Sequence, residues 1–158
     1  MLSDITYVRR SMKKRILIAA VAVALPLASL LAWWTFRFIQ TDKLNQVARS
    51  GDIAAIDTLL NQGAALNGRG MHGMTPLMSA CAAGELPAAC HLIELGADIN
   101  GHNDSGSVLM WAIDSGNIEL VSLLLDQGVD TGWKNHFGGD ARGFAKEKGD
   151  PAIVELLH

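Results

Sequence analysis

Gly51, Gly84, Gly116 and Gly149 stand 33, 32 and 33 residues apart, and Gly63, Gly96 and Gly128 keep the same step. A period of this size constrains the fold more than any single motif, because it marks one supersecondary unit copied along the chain. The apolar positions stay in phase with the glycines. Seven residues before each glycine of the first set come Leu44, Leu77, Leu109 and then Arg142, and four before come Val47, Ala80, Ala112 and Ala145. Five after come Ile56, Ala89, Val121 and Val154, and eight after come Leu59, Leu92, Leu124 and Leu157. One such unit cannot bury its own apolar face, so the copies must stack around a shared interior.

Each unit reads as a helix, a tight turn and a second helix. Thr75 is placed to cap a helix whose first position is Pro76, where a missing N–H costs nothing. Ala80, Cys81 and Ala82 are small enough for a neighbouring helix to approach closely. Gly84 ends this helix, since glycine accepts the left-handed backbone of a helix terminus. A second helix is expected from about Pro87, with Ala89, Leu92 and Ile93 inward, and it stops at Gly96. Between Ala97 and Ser107 the Gly, Asn and Asp content is that of a turn.

The segment TPLMSACAAGELPAACHLIELGADIN, residues 75–100, resembles the ankyrin repeat, with its T-P-L-H-x-A-A helix, glycine turn, second helix and G-A-D-x-N hairpin. GNIELVSLLLDQGVD (116–130) is an equally good second helix, LNQVARSGDIAAIDTLLNQGAALN (44–67) resembles an entry repeat without its leading hairpin, and AKEKGDPAIVELLH (145–158) resembles a terminal one. The resemblance implies an all-α fold: an ankyrin-repeat solenoid of about four helix-turn-helix units joined by hairpin loops. The third unit departs from it, with Ser107 and Val108 in place of Thr-Pro and a hairpin one residue short. The fourth carries Arg142 at a core leucine position beside Gly143; with Lys146 and Lys148 this reads either as the polar cap that solenoids require or as a frayed last unit.

A second feature precedes the repeats. ILIAAVAVALPLASLLAWWTF, residues 16–36, holds no charge over 21 positions, and as a helix it spans roughly 30 Å, the thickness of a bilayer core. Arg9, Arg10, Lys13, Lys14 and Arg15 precede it; Arg37, Lys43 and Arg49 come after it, offset in part by Asp42 and Asp52. The positive-inside rule then leaves the basic side in the cytoplasm and exports the chain beyond Phe36, with Trp33, Trp34, Phe36 and Phe38 at the outer boundary. A cleaved signal peptide fits less well because the apolar run continues past any small-residue cleavage site. A buried core helix would need a polar face, and Pro26 is better tolerated in a membrane. The expected organisation is a cytoplasmic basic tail at 1–15, a transmembrane signal anchor at 16–38 and repeats at 41–158, in units 41–67, 68–100, 101–132 and 133–158. Only residues 40–42 separate anchor from repeats. The whole resembles single-pass, membrane-anchored periplasmic ankyrin-repeat proteins of bacteria, which implies the bacterial inner membrane with the repeats in the periplasm.

Residues 41–158 carry seven basic and fifteen acidic side chains. An acidic surface repels phosphate backbones, which excludes nucleic acid and favours a protein partner with a neutral or cationic surface. Chemistry-bearing motifs are missing: the histidines and Glu94 lack metal-ligand spacing, no nucleophile motif occurs, and no glycine loop joins a strand to a helix. DINGHND (98–104) lacks the glycine placement and terminal glutamate of a calcium loop. His72, His102 and His136 fall on successive hairpins with no fixed metal geometry, and Asn103-Asp104-Ser105 matches a glycosylation sequon. No enzyme activity, metal or cofactor is expected. Cys81 and Cys90 either bridge the helices of one repeat or stay reduced, Cys81 as core filler.

The resemblance implies a non-catalytic interaction module whose contact positions map onto Arg69, Met71, His72, His102, Asn103, Asp104, Trp133, Asn135, His136 and Phe137 of the hairpins. On the first helices they map onto Met78, Ser79, Met110, Trp111 and Phe144. Trp111 and Phe144 are open to two readings, as interface anchors or as packing between units. Two roles are compatible with such a surface: a scaffold or accessory subunit of a resident periplasmic or membrane protein, and an immunity-type inhibitor that neutralises a secreted toxin.

Overall fold

The computed structural model describes residues 2–157, with side chains from Ala22 onward. The basic cluster Arg9, Arg10, Lys13, Lys14 and Arg15, and His158 of the fourth unit, lie outside the described side chains. The chain divides into two units, Met1–Phe36 and Arg37–His158.

The first unit belongs to helix α1 (Leu2–Ser50), which contains Pro26. Its described part is long and apolar enough to cross a membrane. Leu25, Leu31 and Trp34 are each about two-thirds exposed, and apolar side chains surround the helix. Ser29 and Thr35 donate their hydroxyls to the carbonyls of Pro26 and Ala32, at 2.8 and 2.9 Å. The two hydroxyls are thereby satisfied within the helix, as an apolar solvent requires.

The second unit is the stack. After the end of α1 come α2 (Ile53–Asn61), α3 (Pro76–Ala83), α4 (Leu86–Glu94), α5 (Val108–Ser115), α6 (Ile118–Asp126), α7 (Ala141–Lys148) and α8 (Pro151–Leu156). No strand occurs among the described residues, and the hairpins contain one isolated antiparallel bridge, His102 with Ser107. Helix α3 packs on α5 and α5 on α7, while α2, α4, α6 and α8 form a second row behind them. The tight first row arises from its small residues: Ala80, Ala112 and Ala145 are wholly buried.

The expected registers are the core. Leu44, Leu77, Leu109, Ile56, Ala89, Val121, Leu92 and Leu124 are buried, whereas Val47, Leu59 and Val154, in the outermost units, are only half-buried. Arg142 is exposed. Caps repeat with the period. Thr75 and Ser107 each accept from a backbone N–H three residues on, at 3.3 Å, and Asp140 does so from Gly143 at 2.8 Å. Ser107 therefore replaces the expected threonine without loss of the cap, a bond that contributes about 1 kcal/mol. Gly84, Gly116 and Gly149 close α3, α5 and α7 with φ of 73°, 70° and 75°.

The residues 40–42, expected only to separate two domains, lie inside α1. Gln40 and Thr41 are buried, and Thr41 Cγ2 stands where a Cβ on Gly68 would meet it at 2.6 Å. Residues at the end of α1 also take the place of the missing leading hairpin. Asp42 accepts from Met71 N at 3.1 Å, and Asn45 donates to Met74 O at 2.9 Å.

Candidate protein-binding surface

The hairpins project from the first row of helices as three fingers, and asparagines hold them in series. Asn67 accepts from Asp98 N at 2.9 Å and Asn100 from Asp130 N at 2.8 Å, so each hairpin is bonded to the next. Asn103 is buried. It donates to His72 O at 3.1 Å and accepts from the amides of Ser105 and Gly106, which makes it a structural lock and leaves its sequon no free amide. Asn135 repeats this role one unit later, accepting from Phe137 N and Gly139 N at 3.0 Å. The first finger presents Arg69, Met71 and His72, all exposed; His72 sits at φ 66°, a left-handed turn position that histidine occupies more readily than most residues.

The second and third fingers meet. His102 and Trp133 stack with ring centroids 5.0 Å apart and planes inclined by 26°. His136 Nδ1 donates to Asp104 O at 2.7 Å, which fixes its tautomer when neutral, and its ring lies 3.8 Å from that of Phe137. Phe137 is 84% exposed. A large apolar ring held out on a turn closed by Asn135 and by Gly138 (φ 81°) is presented to solvent by the fold and is not a fraying end. Behind it a groove of about 580 Å³ is lined by Ser105, Asn135, His136, Phe137, Gly139, Gly143, Phe144 and Glu147.

On the first helices the expectations divide. Met78 and Met110, expected as contacts, are 0% and 2% exposed, and Ser79 is buried as well. The fingers close over both methionines: a Cβ on Gly101 would stand 3.4 Å from Met78 Cε, and one on Gly106 3.3 Å from Met110 Cβ. Trp111 and Phe144 pack against the core yet stay half-exposed, so the packing reading holds for each while part of its ring remains at the surface. Trp111 Nε1 is buried without a hydrogen-bond partner among the described residues. The groove residues Ser105 and Glu147 were not singled out from the sequence. Glu147 lies three positions after Phe144, one helical turn along the same face of α7, and that spacing is the signal that could have found it.

The structure brings no three metal-ligating side chains together among the described residues. Both cysteines are free, with Cys81 buried and Cys90 partly so.

Similarity to known proteins falls on the same part of the chain. A profile of ankyrin repeats in three copies matches residues 44–135. Human protein phosphatase 1 regulatory subunit 27 is 36% identical over 87 residues, covering 55% of this chain and 56% of that protein. A Caenorhabditis elegans homolog of transient receptor potential cation channel subfamily A member 1 is 32% identical over 104 residues, covering 66% of this chain and 9% of its own length. Rat ankyrin repeat and SAM domain-containing protein 6 is 37% identical over 89 residues, covering 54% and 10%. The chain thus spans about half the length, or far less, of these curated relatives, all of them eukaryotic.

Proposed function

Since the chain belongs to the ankyrin-repeat family, we propose that it is a non-catalytic protein-interaction module. It is tethered to a membrane by the apolar part of α1, and it captures a protein partner on its fingers and first-helix row. The observation that carries this reading is the aromatic display at the second and third fingers, where Trp133 is stacked, Phe137 stands in solvent, and Phe144 and Trp111 lie half-open behind them. Fully desolvated aromatics at the centre of a patch are the side chains that most often dominate binding energy. Arg69, Met71, His72, His102, Asp104 and His136 complete the surface; the buried Met78 and Met110 support it from beneath.

In this reading a span at 16–38 is followed by repeats at 41–158 that lie on the side of the membrane away from the basic cluster. In a bacterial inner membrane that side is the periplasm. The charge distribution supports this orientation, because the basic residues of the first 40 positions outnumber the acidic ones while the repeats are acidic. As a scaffold or accessory subunit the module needs only a surface, and one of its similar human proteins is a phosphatase regulatory subunit.

Crosslinking and pull-down from native membranes, comparing the intact chain with Phe137→Ala, tests the reading. Partner capture should fall about tenfold or more, the loss expected of an interface anchor, with an unchanged melting temperature. Equal capture by both proteins would remove the finger surface from the interface.

A further inference from the structure

The groove behind Phe137 has a chemistry of its own. Its walls are the rings of Phe137, His136 and Phe144, and its one carboxylate is Glu147. Glu147 is exposed and has no ion-pair partner among the described residues. On the same helix Lys148 pairs with Asp114 and lies 5.3 Å over the Phe144 ring, while Lys146 lines a separate hollow with Asp150 and Glu155. The polar groups at its edge, Ser105 and Asn135, belong to fingers locked by the Asp104–His136 bond and the Asn135 turn.

The geometry points to a single occupant: an arginine or lysine side chain of the partner protein, flanked by an apolar residue. Such a side chain is an apolar stem carrying a cation. Its stem would lie against Phe137 and Phe144, and its charge would meet Glu147 and the π face of the Phe137 ring, since Lys148 already stands over Phe144. Charge complementarity favours this occupant locally, through the unpaired carboxylate, and at long range, because residues 41–158 carry fifteen acidic side chains against seven basic. The inference rests on the finger surface being the interface, and it adds which groove is used and what enters it.

A random dodecapeptide display library, panned against the full chain in lipid nanodiscs, is the test. The expected result is enrichment of peptides with an Arg or Lys next to an apolar residue, whose binding falls about tenfold in Glu147→Gln, as for a partly desolvated charge pair. Glu147→Asp should recover part of it, and both variants should keep the wild-type melting temperature. Enriched peptides that lack a basic residue, or that ignore Glu147→Gln, overturn the groove assignment. If those peptides still lose binding in Met71→Ala or Phe137→Ala, the finger surface stands and only its chemistry was misread. If no peptide is enriched, or none responds to any of these variants, both readings fall.

Discussion

Burial pushes the Cys81 thiol well above its usual range, because the thiolate would have to shed its water inside the stack of α3 on α5. The thiolate is the reactive species, so a raised pKa and a closed environment both withhold Cys81 from electrophiles, whereas Cys90 is half-exposed on α4. Native protein at pH 8 should therefore react with a thiol reagent at one cysteine per chain, with the second appearing only in denaturant. Mass spectrometry of the labelled peptides will show which; two equally fast sites would mean that the first repeat pair opens readily. Other side chains were legible to different degrees. The core leucines announced themselves by period alone, but the burial of Met78 and Met110 did not. A contact register gives the direction of Cα–Cβ, not where a flexible thioether ends, and here Gly101 and Gly106 bring the finger backbone down onto both methionines. Glu147 is neither aromatic nor on a hairpin; its spacing from Phe144 marks a shared helix face, but that this face meets the third finger depends on the packing of α7.

At the scale of an element, the repeat is defined by where its helices stop. Gly116 closes α5 at φ 70°, and a Cβ there would meet nothing within 4 Å. Gly116→Ala thus isolates the backbone cost of a left-handed residue, about 1–2 kcal/mol, free of any clash. Gly84 has the same φ sign, but its Cβ would touch Ser115 at 3.5 Å, an ordinary contact. Urea melts of Gly116→Ala should show a loss of about that size with an unchanged slope, and Gly116→Asn should lose less, since asparagine tolerates this conformation better. A loss near zero would mean the turn has rearranged. These helix ends were readable because glycine, proline and the capping residues act locally. The fingers were less so: the bonds from Asn67 and Asn100 to the following hairpin, and from Asn103 back to His72, span about one repeat and exist only once units are stacked. The same holds for Asp42 and Asn45, which look like polar residues after an anchor and turn out to hold the first finger.

For the whole molecule the decisive contrast lies between a segment that exposes Leu25, Leu31 and Trp34 to its surroundings and a stack that buries its leucines completely. Exposed apolar surface that surrounds a helix over this length favours a non-aqueous environment, and the helix is long and apolar enough to cross a bilayer. Under the proposed insertion, orientation is a matter of charge, since Arg9, Arg10, Lys13, Lys14 and Arg15 precede the apolar run in sequence and a net acidic stretch follows it. Retention of positive charge on the cytoplasmic side sets orientation in short flanks, so alkaline phosphatase fused after Gly63 should be active in a bacterial host, where it needs export. A cytoplasmic reporter at the same point should be silent. Replacing the five basic residues with glutamine should erode this difference, whereas the same change at Arg37, Lys43 and Arg49 should leave it intact or enlarge it. The opposite reporter pattern in the unmodified chain would put the fingers in the cytoplasm, and the partner sought on Phe137 and Glu147 would then be a cytoplasmic one.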